Sequence, residues 1–367
     1  MIRAIAACIL LLASTPAFAL EDADYSAAVA WTAKKQIIPA YQWLEDRTLE
    51  LQYSLSSLCQ NPSSNSLTQA RVRFGETAEA WARIQFISFG PVALHQRAFR
   101  IEYWPDKRNV VGRQLAEVLK KQDGSALEPG RFATATVGIQ GLPALERLLF
   151  EERALDLVQK DALGAAFRCR LLAAIATNLT TITNEIVAGW TEGDSSFLSR
   201  IENPSEDDEE LPTGRDAAGR LLNDLLTAII AIRDMKLLAP LGDNVEKAKP
   251  RSAEYWRSGQ SIAVIEANVY SLLMLFDGER GLAGLLFAQT DGKIPAYQML
   301  GAIHAMRNQV TALGNLNLPL HKIVADPRLR QRAEALTTKL AEMRDILVGR
   351  VAPKLNLPIG FNALDGD

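Results

Sequence analysis

The sequence holds few of the residues that make a function easy to read. Among 367 residues there are three histidines and three cysteines. That is too few for a chain built around several His/Cys metal centres, although one metal held by carboxylates would leave no mark on these counts. Aromatic residues make up only 7%. Charge of one sign is not in excess either: 40 Lys plus Arg stand against 43 Asp plus Glu, so no bulk field would draw a nucleic acid or an anionic membrane. No nucleophile elbow, phosphate loop, dinucleotide fingerprint or His-Glu-x-x-His helix occurs, which removes the enzyme classes those motifs define. After the N-terminal segment no run reaches about 18 consecutive apolar residues, so no transmembrane segment is expected in the mature chain. What is present is a chain 48% apolar and long enough to bury a large core.

The beginning reads as an export signal. Arg3 precedes an apolar run from Ala4 to Leu12, then Pro16, then Ala17-Phe18-Ala19 ahead of Glu21 and Asp22. The run is too short to span a bilayer, and small residues flanking the cut suit signal peptidase, so residues 1–19 are expected to be removed after Ala19. Ile5-Ala6-Ala7-Cys8 is a competing lipid-attachment box, but it leaves almost no apolar stretch ahead of the cysteine. After cleavage only Cys59 and Cys169 remain. In an oxidising compartment a disulfide between them is the economical expectation, closing a loop of about 110 residues and stabilising by about 3 to 5 kcal/mol; two buried thiols are the alternative.

Periodicity is helical nearly everywhere. Ile37, Ile38, Tyr41, Leu44, Leu51, Leu55 and Leu58 recur at three- and four-residue steps within Trp31 to Leu58, one stripe of a long helix. Ser66 followed by Gln69 predicts a capping box for a helix carrying Trp81, Ile84, Phe86 and Ile87. Further helices are expected over Leu155 to Trp190, Ala217 to Leu238, Ala253 to Phe276, Pro295 to Leu313 and Arg328 to Val351. No segment pairs two-residue alternation with hairpin punctuation, so the fold class is all-α. Between Thr191 and Gly214 the composition turns acidic, with Glu206, Asp207, Asp208, Glu209 and Glu210 unbroken. Such a run reads as a solvated linker, with a cation-binding loop as the alternative.

The linker prompts a search for duplication. Ala78-Glu79-Ala80-Trp81 recurs as Ala253-Glu254-Tyr255-Trp256, and Gly141-Leu142-Pro143-Ala144-Leu145 has a counterpart in Gly281-Leu282-Ala283-Gly284-Leu285. The order is kept although the offsets differ. The expected architecture is therefore two related, four-helix-bundle-like halves packed side by side, residues 20–190 and 215–367, joined by the acidic linker 191–214, with ligand space in the cleft between them.

Three clusters carry candidate chemistry. Phe89-Gly90-Pro91, Arg97, Arg100, Glu102 and Tyr103-Trp104-Pro105-Asp106 suit a shaped loop over a cleft, where arginine orients a carboxylate and Asp106 accepts hydrogen bonds. A tryptophan that merely anchors the loop is the bland alternative. Gly141-Leu142-Pro143-Ala144-Leu145-Glu146 reads first as a helix start, with proline in the first turn and a carboxylate favoured by the exposed amides. Lys249-Pro250-Arg251-Ser252-Ala253-Glu254-Tyr255-Trp256-Arg257-Ser258, taken as helix, places Arg251, Glu254 and Ser258 on adjoining turns with Arg257 one step aside. That patch suits an anion, against the plain reading of a salt-bridged helix start. His95, His304 and His321 are too far apart to form a local ligand pair.

These segments, taken in order from Cys59 to Ser258, resemble the imelysin-like proteins across essentially the whole mature chain. The resemblance implies an exported, periplasmic or outer-membrane-associated protein of two helical bundles, grouped with a peptidase family and often linked to iron uptake. The family's Gly-x-His-x-x-Glu signature is matched at Gly141 and Glu146, but Pro143 stands where the histidine belongs. Histidine and glutamate at i and i+3 reach one metal or share a proton, and proline does neither.

The leading expectation is a periplasmic imelysin-like protein whose inter-bundle cleft binds a small ligand, or a periplasmic or outer-membrane protein, in iron acquisition. Gly141, Pro143, Glu146, Arg97, Asp106, Arg251, Glu254, Arg257 and Ser258 form the candidate cleft. The alternative is a metallopeptidase holding Fe or Zn, with Glu146 as a ligand and His95 or His304 replacing the motif histidine in space. An interaction scaffold without a small ligand is a third reading.

Overall fold

The computed structural model describes residues 20–360; the expected export signal lies outside them. Every regular element among these residues is helical. The chain starts with a rod made of α1 (Asp22–Thr32) and α2 (Ile38–Gln60), continuous through a widened turn over Ala33–Ile37. The same widening recurs over Ala231–Leu238 and Leu347–Val351. In each case a proline follows two residues later, Pro39, Pro240 and Pro353. Proline lacks a backbone donor and its ring collides with the carbonyl four residues back, so the preceding turn opens to a π-type pattern and the helix continues.

α3 (Ser64–Ala82) begins at a capping box between Ser63 and Ser66, one turn ahead of the expected Ser66 and Gln69. Ser66 is thus the reciprocal partner and Ser63 the cap. Helix α3 also ends at Ala82, so Ile84, Phe86 and Ile87 lie in the turns beyond it. Next come α4 (Val110–Lys121), α5 (Leu142–Phe150), α6 (Ala165–Thr191) and α7 (Phe197–Glu202). The expected helix from Leu155 therefore starts ten residues late, at Ala165, because Gly164 adopts a left-handed conformation ahead of it. After the acidic segment follow α8 (Gly214–Ile230), α9 (Ser261–Phe276), α10 (Leu282–Phe287), α11 (Lys293–Gly314) and α12 (Arg330–Ile346).

Helix α2 packs against α3 and α6, while α9 packs on α11 and α11 on α12. Contact between α3 and α9 joins these two groups, and α1 lies against α8 although sequence order assigns it to the first half. Leu44, Leu51, Leu55 and Leu58 of α2 meet a core that includes Leu171, Leu172, Ile175, Leu179 and Ile186 of α6, all at most 1% exposed. Cys59 and Cys169 form the expected disulfide, with Cα atoms 5.7 Å apart, and so tie α2 to α6. Helix α6 is long and apolar enough to cross a bilayer and is half buried within this bundle.

The acidic run is not a loose tether. Arg200 donates to Asp208 through Nε and Nη2 at 2.7 Å each and to Glu210 at 3.3 Å. Asp208 also accepts the amides of Glu210 and Leu211. The five donors of one guanidinium offset the repulsion that the sequence alone implies.

Candidate functional site

A cavity of about 970 Å³ opens where residues 102–111 and 143–147 of the first half face residues 230–239 and 251–257 of the second. Its wall combines Trp104, Pro105, Pro143, Met235 and Trp256 with Glu102, Asp106, Lys107, Glu146, Arg147, Asp234, Arg251 and Arg257. An apolar lining with a few convergent polar groups is the usual composition of a small-molecule site.

Glu146 is held in this wall by its partners rather than by helix position alone. Gly141 ends the loop before α5 so close to residues 100 and 101 that a Cβ would lie 2.2 Å from the Ile101 carbonyl oxygen. Only glycine fits there, and its close approach sets the start of α5. One turn into the helix, Glu146 Oε1 accepts from both the amide and the hydroxyl of Ser258 at 2.9 Å, and Oε2 lies 3.9 Å from Arg257 Nη1. Burial raises the Glu146 carboxyl above its usual range, and the Ser258 hydrogen bonds and Arg257 oppose that rise. Arg257 stacks on Trp256 at 4.4 Å, and Arg251 lies 5.4 Å from the centroid of the same ring.

The backbone that presents these residues is not the helix expected from Ala253. Residues 250–252 form a single tight turn, 253–260 form further turns, and α9 starts only at Ser261. Tyr255 sits at φ 50°, a left-handed conformation that is strained for a bulky residue. The consequence is that Arg251, Glu254 and Ser258 point to three different surroundings. Arg251 is exposed at the cavity, Ser258 binds Glu146, and Glu254 turns inward.

Behind the wall lies a buried polar cluster. Lys236 Nζ pairs with Glu254 Oε2 at 2.7 Å, both side chains being at most 2% exposed. It also donates to Asn268 at 2.6 Å and Gln85 at 3.0 Å. Glu102 Oε2 accepts from Trp81 Nε1 at 2.7 Å and from Gln85 Nε2 at 3.3 Å. Desolvation and then the charge of Glu254 push Glu102 up to about 8, against the lowering effect of Lys236. The Tyr255 hydroxyl faces Glu102 without an aligned hydrogen bond, and both that hydroxyl and Glu102 Oε1 lack a partner. Glu102 and Tyr255 are also cavity residues.

The expected site residues thus divide. Pro143, Glu146, Asp106, Arg251 and Arg257 line the cavity; Gly141, Glu254 and Ser258 support the wall. Asp106 is occupied, its two oxygens accepting the amides of Val110 and Val111 at the start of α4. Arg97 lies elsewhere: it is buried, pairs with Glu185 at 2.8 Å and donates to the Pro91 carbonyl. Phe89 packs with Trp190 and Phe197 in an aromatic cluster, so the Phe-Gly-Pro end of that segment is core, whereas Glu102 to Lys107 reaches the cavity. Lys236, Asn268 and Gln85 were missed, although a lysine and an asparagine inside apolar helical stretches are a signal of buried polar work. Arg147, which ends the Gly-Leu-Pro segment, was also passed over.

A metal does not fit these residues. Pro143 occupies the place of the motif histidine, His95 and His304 are exposed and line no part of the cavity. Among the described residues no three His, Cys, Asp or Glu side chains converge as ligands.

Fold and cavity together define an all-helical protein with a chamber whose apolar lining carries a few convergent polar groups. The imelysin family profile matches residues 37–347, and the chain belongs to that family. It is similar to the iron-regulated protein A of Synechococcus elongatus, 21% identical over 323 residues that cover 86% of this chain and 83% of that one. The structure of an imelysin-like protein from Psychrobacter arcticum 273-4 superposes with a TM-score of 0.75 at 20% identity, covering 95% of this chain and all of the other. A protein of Parabacteroides distasonis assigned as an iron-regulated protein A precursor gives 0.74 at 17% identity, over 92% and 96% of the two chains.

Proposed function

We propose that this protein is an exported, periplasmic binding protein of the imelysin family, linked to iron acquisition, whose cavity between the two halves holds a ligand. The observation that carries this reading is the cavity itself: segments from both halves bring Glu146, Arg257 and Trp256 together around one chamber. Export is supported by the N-terminal segment and by the disulfide, which persists in oxidising compartments. The link to iron rests on the relatives whose names describe iron regulation. Binding is favoured over peptide hydrolysis because the motif position that would serve a metal or move a proton is Pro143.

The test is a thermal-shift screen of the mature protein against small molecules, in parallel with a peptide panel. Ala239 is an exposed residue of the cavity lining, so Ala239→Trp sets an indole at the chamber and obstructs an occupant while leaving the core intact. The expected result is that compounds raise the melting temperature of the wild type, Ala239→Trp abolishes the rise, and the peptides stay uncut. Peptide cleavage, or stabilisation unaffected by Ala239→Trp, contradicts the reading.

A further inference from the structure

The cavity wall is unequally supplied with counter-charges. Arg147, Arg251 and Arg257 all face the chamber, yet among the described residues no carboxylate lies within ion-pair distance of Arg147 or Arg251, and Arg257 reaches Glu146 only at 3.9 Å. Arg147 donates instead to the Asn109 side chain, and Arg251 has the Trp256 ring beneath it. The acids of the wall are engaged elsewhere: Asp106 on two backbone amides, Glu146 on Ser258, Asp234 on Arg233. Burial first, and then the charges of Arg147 and Arg251, hold the Arg257 guanidinium below the usual arginine range, against the opposing charges of Glu146 and Asp106. The three cations are therefore close enough to repel one another, and an oxyanion between them would relieve that repulsion.

A second concavity of about 370 Å³ shares Arg147, Trp256 and Arg257 with the first and continues along Gly112, Leu115 and Leu119. Arg147 and Arg257 thus line both spaces. The larger one is also lined by Glu102 and Tyr255, whose carboxyl and hydroxyl face one another on side chains more than nine-tenths buried.

Resting on the reading of this cavity as a binding site, we propose that its ligand is a small organic polyanion, bearing two or more carboxylate or phosphate groups, clamped by Arg147, Arg251 and Arg257. Planar guanidinium forks on an aromatic face suit such oxyanions and reject uncharged isosteres.

The experiment is titration calorimetry of the mature protein with tricarballylate, fructose 1,6-bisphosphate and the uncharged propane-1,2,3-tricarboxamide. The inference expects one or both polyanions to bind, with affinity falling as salt is raised and the tricarboxamide bound at least about tenfold more weakly. Arg251→Gln and Arg147→Gln each weaken binding about tenfold, whereas Arg332→Gln, exposed on α12, leaves it unchanged. Circular dichroism melts confirm folding of each variant. Preference for tricarballylate or for the bisphosphate assigns the anion as carboxylate or phosphate. Equal binding by the arginine variants, equal binding of the tricarboxamide, or no binding of either polyanion overturns the inference. An uncharged compound that binds the wild type but not Ala239→Trp leaves the cavity reading standing while the polyanion falls. Polyanion binding that survives Ala239→Trp overturns both.

Discussion

The interface of α2 with α6 and the wall of the cavity bury comparable side chains in opposite ways. Along α2 and α6 the backbone is regular and the contacts are mainly leucine and isoleucine; Thr48 and Thr183 share a hydrogen bond of 3.1 Å across the interface, while the buried Tyr41 hydroxyl and Trp190 Nε1 have no partner. A disulfide closes that interface. Around the cavity the backbone is a π-type turn on one side and a string of turns with a left-handed Tyr255 on the other, and charged side chains are buried with polar atoms left unpaired. Apolar packing on regular helices holds the fold, and the irregular polar wall, which stabilises less, gives the molecule its chemistry. Strain and unpartnered groups persist where surrounding structure over-determines them.

The largest effect that would sharpen this contrast is expected at Lys236. Lys236→Met leaves Glu254 buried without its cation and destabilises by about 3–5 kcal/mol, read by urea unfolding; adding Glu254→Gln recovers most of the loss. If the single variant unfolds like wild type, the buried pair is not what holds the wall. Next is the disulfide. Replacing Cys59 and Cys169 by alanine removes about 3–5 kcal/mol but leaves cavity binding unchanged; a matching loss of affinity would show that the two regions are not separable.

A smaller effect concerns pH. Glu102 is held up to about 8 and Asp224 to about 7, both first by desolvation, whereas in the unfolded chain they titrate near about 4. Between those limits the folded protein binds more protons than the unfolded chain, so stability falls as pH rises, through about 7 for Asp224 and about 8 for Glu102. Glu102→Gln is expected to remove its share of that slope, leaving the share of Asp224; denaturation midpoints from pH 5 to 9 that keep the full wild-type slope would contradict the assignment. The smallest effect is expected at Arg257, whose side chain is 27% exposed on Trp256: Arg257→Ala changes stability by no more than about 1 kcal/mol. Collapse of the fold in that variant would make the arginine a structural group.

The all-helical class and the Cys59 to Cys169 disulfide were legible because both follow from local spacing and from a count of cysteines. So was the gathering of Pro143, Glu146, Asp106, Arg251 and Arg257 around one chamber, since each stood in a dense polar or motif-bearing segment. The failures have a common physical origin. Residues 253–260 carry helical periodicity, yet the Ser258 hydrogen bonds to Glu146, 112 residues away, and the inward turn of Glu254 toward Lys236 require a different backbone; these tertiary contacts overrode local preference. Arg97 was assigned to the cleft by its neighbours in sequence, whereas Glu185 on α6 decides its place. The three π-type turns were not read, although a proline follows each, because apolar spacing alone does not distinguish a widened turn from a regular one.

Hydrogen exchange of the mature protein, with and without the compound that most raises its melting temperature, tests the central claim directly. Protection confined to residues 102–111, 142–147, 234–239 and 251–258, from both halves at once, is the predicted result. Protection in one half only, or along α2 and α6, would contradict the cavity as the binding site.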